Sequence, residues 1–402
     1  MLDLKSIEKA KERLKGVASR TPFAYAPVLS ELSGYEVYLK KENLQNTGSF
    51  KLRGAFNKIA SLVGEGKRNG VVAASAGNHA QGVAFAARHF GLDSTIVMPE
   101  STPLTKVMGV KDLGSEVILH GGNYDEAYSY AIEYAKRYEK DFVHPFADDD
   151  VMAGQGTLML EMLEERELDA VVIPVGGGGL ISGCATAVKA LSPNTKVIGI
   201  ASAGAPAMKN SFDIGKPIDS TGVRTIADGI AVRDTSPVTL AYIMKLVDRI
   251  DLVCEDEIAN AILYLLEKQK LMVEGAGAVG VAALMHGHID MPAGSKIGIV
   301  LSGGNIDVTM LSLIIEKGLM KSYRKMKLVV TLMDKPGALR RFSELMETAN
   351  ANIVQIGYDR TSTDLEFGDA HVSVALETKG KEHQESIRRL LDENGFPFKE
   401  EH

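Results

Sequence analysis

The chain has 402 residues, of which 45% are hydrophobic and 24% are charged, which is typical of a globular protein with two or three domains and excludes wholesale disorder. The net charge of -7 and the pI of about 5.8 provide no general attraction to nucleic acid or anionic lipid, so a small-molecule role is favoured. The two cysteines, Cys184 and Cys254, have no metal-ligand or CxxC spacing, which argues against a zinc site or a disulfide framework.

The first sixteen residues, MLDLKSIEKAKERLKG, have the pattern of a charged amphipathic helix and lack the apolar core of a signal peptide. The longest apolar stretch, GAGAVGVAALM at 275–285, is too short to cross a bilayer as a helix. We therefore expect a soluble, cytoplasmic protein with neither a membrane nor a nucleic-acid partner.

Between about residues 70 and 300, short apolar runs alternate with amphipathic or alanine-rich segments. The runs are GVVAAS, STIVMP, SEVILH, AVVIPV, KVIGIA and KIGIVLS. This alternation predicts βαβ units in an α/β fold with a mainly parallel, doubly wound sheet. Ligands of such sheets bind beyond the carboxyl ends of the strands, which directs attention to the loops at 75–82, 176–180 and 302–305.

The pattern changes near residue 320, where the basic segment EKGLMKSYRKMK predicts a linker. Residues 326–402 then read as strand, helix, strand, strand and helix, with a possible further strand in the final residues. This order is that of a small α+β, ferredoxin-like module.

A glycine-rich segment follows the predicted strand AVVIPV and precedes a predicted helix. Its residues are Gly176, Gly177, Gly178, Gly179 and Leu180. Because glycines have no side chains, backbone N–H groups and the helix N-terminus can hold a phosphate here. The alternative interpretation is that the segment is only a flexible loop. No P-loop pattern is present, and Ala201 stands where a dinucleotide site needs a carboxylate. A cofactor with one phosphate and no ribose fits better.

Lys51 lies in the segment TGSFKLRG at 47–54, between two glycines and next to Phe50. A lysine in a tight, partly apolar site is poorly solvated as an ammonium, so its pKa falls and the neutral amine can form a Schiff base with a carbonyl. Pyridoxal phosphate offers both that carbonyl and the single phosphate. The alternative is that Lys51 is an ordinary exposed helix residue.

Four segments together resemble the fold-type II pyridoxal phosphate enzymes, and among them the threonine dehydratases, also called threonine ammonia-lyases. They are ENLQNTGSFKLRGA, AASAGNHAQGVA, VGGGGL and LSGGN, in the expected order. The resemblance implies a fold like that of the tryptophan synthase β subunit, with two doubly wound parallel-sheet subdomains. The catalytic domain would span residues 1–320, with a smaller subdomain at about 44–145 inserted in the larger.

The resemblance also assigns roles to residues. Lys51 would hold the cofactor beside Phe50, Asn78 would contact its phenolic oxygen, residues 176–180 its phosphate, and Ser302 its pyridine nitrogen. The loop expected to receive the substrate carboxylate consists of Ser75, Ala76, Gly77, Asn78 and His79. Neutral Lys51 would remove the Cα proton and the β-hydroxyl would leave as water, so threonine would become 2-oxobutanoate and ammonia, and serine would become pyruvate. A serine near the pyridine nitrogen makes a weaker electron sink than an aspartate, which suits this elimination.

Three positions refine the expectation. Ala76 replaces the second serine that serine racemases use as a base, so racemisation should be weak. Ala201 replaces the glutamate that begins a metal-binding loop in many relatives, so we expect no divalent metal there. Glu274, a carboxylate before the apolar helix at 275–285, either caps that helix or contacts the cofactor pocket.

The segment at 326–402 resembles an ACT domain, a regulatory unit that binds amino acids. The expected effector residues in its MDKPGAL segment are Asp334, Gly337, Ala338 and Leu339. Isoleucine or valine is the expected effector, and a homodimer or homotetramer the expected assembly. The alternative is that this module only dimerises by pairing sheets.

Two other functions stay open at this point. A serine racemase or a β-replacement synthase would share the fold and the lysine, and would make D-serine or a thiol adduct instead of a 2-oxo acid. A non-enzymatic amino-acid sensor would lack catalytic residues, yet here every expected catalytic position is filled.

Overall fold

The structure is a computed structural model that describes residues 2–401. The chain divides into two compact units, Met1–Asp307 and Val308–His402. The elements of the first unit are α1 (Leu4–Leu14), β1 (Phe23–Tyr25), α2 (Pro27–Ser33), β2 (Glu36–Lys41), α3 (Lys51–Gly64), β3 (Val71–Ala74), α4 (Asn78–Phe90), β4 (Ser94–Met98), α5 (Leu104–Lys111), β5 (Glu116–Leu119), α6 (Tyr124–Arg137), β6 (Asp141–Phe142), α7 (Asp149–Glu165), β7 (Ala170–Pro174), α8 (Gly179–Leu191), β8 (Lys196–Ser202), α9 (Ala207–Ile214), α10 (Pro237–Leu246), β9 (Arg249–Val253), α11 (Glu255–Tyr264), α12 (Gly275–Met285) and β10 (Lys296–Leu301).

The larger sheet has six strands in the order β1-β2-β10-β7-β8-β9, and only the edge strand β1 is antiparallel to its neighbour. Every residue of β7 is buried, as expected for a central parallel strand that helices cover on both faces. Because β7 and β10 are parallel neighbours, the segments that follow them, 175–180 and 302–305, lie at the same edge of the sheet. The predicted meeting of these two segments is confirmed.

The smaller sheet has four parallel strands in the order β5-β4-β3-β6. In sequence it falls between β2 and β7 of the larger sheet. Helices α3 and α4 pack on it through a core of small apolar side chains, including Ala55, Ile59, Ala80 and Val83. The loop at 75–79 leaves the carboxyl end of β3, as the sequence predicts.

All six strands predicted in the 70–300 region are present, and four strands of the first unit fall outside that prediction. Strands β1 and β6 contain only three and two residues, too few to show a pattern. Strand β2 contains the buried charge of Lys40, and β9 alternates polar with apolar residues, so neither resembles an apolar central strand. The predicted N-terminal helix is confirmed as α1.

The second unit contains α13 (Val308–Lys321), β11 (Lys325–Met333), α14 (Ala338–Thr348), β12 (Asn352–Asp359), β13 (Asp369–Glu377), α15 (Lys381–Glu393) and β14 (Phe398–Glu401). Its four strands form an antiparallel sheet in the order β12-β13-β11-β14. Alternate residues of β11 are buried, and they pack against Phe342 of α14 and Ile387 of α15. The predicted ferredoxin-like order, with its last strand, is confirmed. The expected linker near 320 is helical up to Lys321.

Two general features follow from these elements. Within residues 2–401, no helix combines the length and the apolar character that a bilayer span requires. Over the same residues, no group of three or more His, Cys, Asp or Glu side chains is arranged to hold a metal ion.

Candidate active site

The amino end of helix α3 is fastened to the loop that follows β10. The N–H of Phe50 donates to the carbonyl of Ser302 at 3.0 Å, and Ser49 and Gly303 form an isolated antiparallel bridge. Phe50 is the N-terminal cap residue of α3, so Lys51 begins the helix directly beside Ser302. The structure therefore brings together two residues that are 251 positions apart and that the sequence assigns to one site.

Lys51 is half-buried, and its Nζ donates to the carbonyl of Pro145 at 2.9 Å. The Nζ also lies 5.5 Å from the centroid of the Phe50 ring. Burial lowers the pKa of Lys51 to about 8, and the negative charge of Glu274 opposes this shift. Among residues 2–401, no carboxylate forms an ion pair with Lys51, so the more distant Glu274 charge only partly offsets the effect of burial.

The glycine segment 176–179 runs from β7 into the start of α8. A Cβ atom on Gly177 would lie 2.4 Å from the ring of Phe146, and one on Gly179 would lie 2.8 Å from Phe146 Cβ. Gly178 has φ of 85°, a left-handed conformation that favours glycine, and Thr239 Oγ1 donates to the carbonyl of Gly177 at 2.8 Å. These contacts make the segment closely packed, and the flexible-loop alternative is not what the structure shows. Leu180 is buried in the first turn of α8.

Asn78 begins helix α4 and is held by residues from two other elements. Its Nδ2 donates to both carboxylate oxygens of Glu274, at 2.7 and 3.0 Å, and its Oδ1 accepts from Asn305 Nδ2 at 2.7 Å. Glu274 occupies the N-terminal cap position of α12 but its side chain caps no helix N–H. The Glu274 side chain therefore binds Asn78 and does not cap α12, and its contact with a cofactor pocket stays a prediction. Burial raises the pKa of this carboxyl group, while the hydrogen bond from Asn78 opposes the rise.

Two histidines near Lys51 are held neutral. His79 Nε2 lies 2.9 Å from the carbonyl of Val143 and must carry the proton, because a carbonyl only accepts. His144 Nδ1 accepts the N–H groups of Phe146 and Ala147 at 3.2 and 2.8 Å. Burial lowers the pKa of His79 to about 3 and that of His144 to about 4, and the nearby Lys51 charge acts in the same direction. Neither imidazole competes with Lys51 for a proton at neutral pH.

The remaining predicted residues also lie in this region. Ser75, Ala76 and Gly77 are half-buried in the loop after β3, where Ser75 Oγ accepts the N–H of Gly77 at 3.2 Å. Ser302 is 2% exposed. Close to it in the fold, the fully buried Ser49 Oγ has no hydrogen-bond partner among residues 2–401.

Sequence reasoning missed the segment 144–146 and Asn305. The first follows β6, a strand of two residues that gave no detectable pattern, and it contributes Pro145 and Phe146 to the site. Asn305 ends the segment SGGN and donates to Asn78, although the sequence analysis gave it no separate role. Two-residue strands are set by tertiary contacts, so no sequence pattern marks the first group.

The expected effector residues all lie in the second unit. Gly337 is the N-terminal cap of α14 with φ of 89°, and Ala338 and Leu339 form the first turn of that helix. The carboxylate of Asp334 accepts from Tyr358 Oη at 2.9 Å and from Arg360 Nε at 2.7 Å. These two partners come from β12 and the residue after it, which the sequence did not associate with the loop.

A cavity of about 1020 Å³ opens elsewhere in the first unit, next to Asp169, Lys196 and Lys296. These residues lie at or just before the starts of β7, β8 and β10, so the cavity is at the amino-terminal edge of the larger sheet. Ligands of doubly wound sheets bind at the opposite edge, where the segments 176–180 and 302–305 lie. The chemistry of the side chains, more than the size of a cavity, locates the site.

Comparison with known proteins identifies the family. Residues 14–303 match the family described as pyridoxal-phosphate dependent enzyme. An L-threonine ammonia-lyase of Thermotoga maritima is 48% identical over 397 residues, which is 98% of each chain.

Two solved structures are also similar. The processed form of threonine deaminase isoform 2 from Solanum lycopersicum has a TM-score of 0.74 and 37% identity over 78% of this chain and 87% of that one. Maize serine racemase has a TM-score of 0.74 and 34% identity, over 80% and 99% of the respective chains. The chain therefore belongs to the family of pyridoxal-phosphate dependent enzymes, with the fold-type II architecture.

Proposed function

We propose that this protein is a threonine ammonia-lyase that converts L-threonine to 2-oxobutanoate and ammonia and accepts L-serine as a second substrate. The observation that carries the proposal is the Lys51 amine, which is half-buried, has its pKa lowered to about 8, and forms no ion pair among residues 2–401. An amine of this kind is available as a nucleophile and as a base near neutral pH. The threonine ammonia-lyase and threonine deaminase relatives support the choice of substrate.

The residues at the sheet edge fit pyridoxal phosphate. Lys51 offers an amine for its aldehyde, and the start of α8 offers N–H groups that have no acceptor within the helix for its phosphate. The unpartnered Ser49 hydroxyl and the buried Ser302 support a polar ligand at this edge of the sheet. When bound, the cofactor supplies an electron sink for the electrons released at the substrate Cα.

The chain's own groups would then divide the remaining tasks. Neutral Lys51 accepts the Cα proton, and the N–H groups of the loop at 75–79 hold the substrate carboxylate at the start of α4. Asn78 would contact the phenolic oxygen of the cofactor, and the hydrogen bonds from Asn78 to Glu274 fix the orientation of its amide. Ser302 would offer a neutral hydroxyl to the pyridine nitrogen of the cofactor, where a carboxylate would make the ring a stronger electron sink, and this suits elimination.

A serine racemase is the second candidate, and the structural similarity to maize serine racemase supports it. Racemisation needs a proton donor on the face of the substrate opposite to Lys51. Ala76 lies in the loop that meets the substrate, and its methyl group can neither give nor take a proton. Elimination is therefore the better-supported reaction, and D-serine should form slowly if at all.

We further propose that the catalytic residues belong to a domain at 1–320 and that residues 326–402 form an ACT-type regulatory domain. The antiparallel sheet order β12-β13-β11-β14 and the left-handed Gly337 before α14 support a site for the carboxylate of an amino acid. Isoleucine or valine is the proposed effector, which would place the enzyme in isoleucine formation, with threonine breakdown as the other role. A homodimer or homotetramer is the proposed assembly.

The test compares the purified protein with two lysine variants in the presence of pyridoxal phosphate. We expect the wild type to release 2-oxobutanoate from L-threonine, and Lys51→Ala to lose both turnover and the cofactor's protein-bound absorbance. Lys67→Ala is the matched control, because that lysine lies beyond the same helix with a side chain that is 49% exposed. Full activity of Lys51→Ala, or release of D-serine without 2-oxo acid from L-serine, would contradict the proposal.

A further inference from the structure

A buried cluster of charges includes Arg53, which lies two residues after Lys51 in helix α3. Its members are Lys40 in β2, Glu42 just after β2, Arg53 in α3 and Glu161 in α7. Arg53 is 1% exposed, Lys40 and Glu42 are 0% exposed and Glu161 is 9% exposed. The cluster contains two positive and two negative groups, so its formal charge is zero.

Arg53 is the centre of this cluster. Its Nε and Nη2 donate to the two oxygens of Glu42 at 2.8 and 2.9 Å, while Nη1 and Nη2 donate to the two oxygens of Glu161 at 2.6 and 3.1 Å. Further bonds go to Thr157 Oγ1 and to the carbonyl of Ser19. One planar guanidinium thus joins three elements, and a lysine could not reproduce this double fork.

The other members complete the cluster. Lys40 Nζ donates to Glu161 Oε2 at 2.5 Å and to the carbonyl of Thr21 at 2.7 Å. Thr21 Oγ1 donates to Glu42 Oε1 at 2.5 Å. Burial opposes ionisation of Glu42 and Arg53, but their mutual attraction outweighs it, so the pKa of Glu42 is lowered and that of Arg53 is raised.

Close backbone contacts connect the same helices. A Cβ on Gly154 of α7 would lie 2.4 Å from the carbonyl oxygen of Arg53, and a Cβ on Gly183 of α8 would lie 2.1 Å from the carbonyl oxygen of Met152. The N–H of Gly54 also donates to Gln155 Oε1 at 3.0 Å. Helix α7 is therefore in backbone contact with both α3, which begins at Lys51, and α8, which begins at the glycine segment 176–179.

We propose that Arg53 is a positioning residue, which locks α3 to β2 and α7 so that the Lys51 amine stays in register with the glycine segment at the start of α8. The inference rests on the proposed function, because it takes Lys51 and the glycine segment to hold two ends of one cofactor. A buried ion cluster is often no more stabilising than apolar residues of the same volume, so stability alone does not account for four charges in this place. The need for a fixed distance between the sites for the aldehyde and the phosphate does account for them. A misplacement of about 1 Å can lower the rate by about 100-fold.

The test uses Arg53→Lys, which keeps the charge and loses the fork, beside Ile59→Ala as the matched control. Ile59 lies on the same helix, is 0% exposed and belongs to the apolar core, so its truncation weakens the fold without touching the cluster. Both variants should unfold at lower temperature. Only Arg53→Lys should lower kcat, by about 100-fold, with little change in the KM for threonine.

Two readouts do not depend on turnover. In cofactor-free protein, Arg53→Lys should weaken pyridoxal phosphate binding, measured by fluorescence titration, whereas Ile59→Ala should not. The pH midpoint for labelling Lys51 with an amine reagent should also rise from about 8 towards the ordinary 10.5, because a looser amine gains water. If Arg53→Lys is too unstable to purify, Thr157→Val is the substitute, because it removes one hydrogen bond from Arg53 and no charge. It should shift both readouts in the direction expected for Arg53→Lys, but by a smaller amount.

The inference would be overturned if Arg53→Lys and Ile59→Ala lost equal stability while Arg53→Lys kept the kcat, cofactor affinity and labelling midpoint of the wild type. The cluster would then have only a structural role. That result would leave the proposed function intact. Full activity of Lys51→Ala would instead overturn the proposed function, while the labelling midpoint of Lys51 in cofactor-free Arg53→Lys would still report on positioning.

Discussion

The lowered pKa of Lys51 has a measurable consequence in cofactor-free protein. With a pKa of about 8 in place of 10.5, about a quarter of the Lys51 side chains are neutral at pH 7.5, compared with about one in a thousand for an ordinary lysine. The neutral amine is the reactive form, so the difference corresponds to on the order of 100-fold more nucleophile at this pH. Burial is the main cause, and the charge of Glu274 moderates it.

The assay is labelling of the cofactor-free protein with an amine reagent between pH 6 and 11, with each modified lysine quantified by mass spectrometry. Lys51 should show a midpoint near 8. Lys67 provides a control in the same digest, because its hydrogen bond to Asp141 raises its pKa above the ordinary value. In urea-unfolded protein the Lys51 midpoint should return to about 10.5.

Glu274→Gln tests the second cause. The change removes a negative charge that favours the ammonium form, so the Lys51 midpoint should fall below that of the wild type. Glutamine retains an oxygen that can accept from Asn78 Nδ2, so the site should keep its arrangement. A Lys51 midpoint near 10.5 in the folded wild type, or a rise in Glu274→Gln, would refute the argument.

Three further predictions concern stability and regulation. Because the pKa of Lys51 is lower in the folded than in the unfolded protein, cofactor-free protein should gain stability as pH rises from about 8 to 10.5. Lys51→Met removes the buried charge, so it should raise the free energy of unfolding at pH 7 by about 1 to 3 kcal/mol in urea titrations. Gly183→Ala should destabilise the fold by about 1 to 3 kcal/mol, because its Cβ would lie 2.1 Å from the Met152 carbonyl oxygen, while Gly64→Ala, with open space around it, should not destabilise it. Gly337→Val should abolish the response of activity to isoleucine and valine while unregulated turnover persists, since a valine is strained at φ of 89°; an unchanged response would exclude this loop as the effector site.

Much of the site could be predicted because its residues follow strands that have a strong pattern. Every residue of β7 and every residue of β10 after Lys296 is buried, so the runs AVVIPV and IGIVL are apolar and easily recognised as strands. The segments 176–180 and 302–305 then had to meet at one sheet edge. Glu274 could be singled out as a carboxylate in an apolar context, but its bond to Asn78 could not, because 196 residues separate the two.

What the sequence by itself determined was the local chemistry: a lysine among glycines, a run of four glycines before a helix, and a polar loop after β3. Each of those features consists of residues that are adjacent in the chain, so it can be recognised from a single sequence. The tertiary structure alone decided which distant groups surround them. Each of these groups lies in a different part of the chain from the residue that it contacts. They are Phe146 against the glycine segment, Pro145 as the acceptor for Lys51, and Glu42 and Glu161 around Arg53. Their positions follow from how α3, α7 and α8 pack through glycine contacts, and such packing leaves no periodic signal in the sequence.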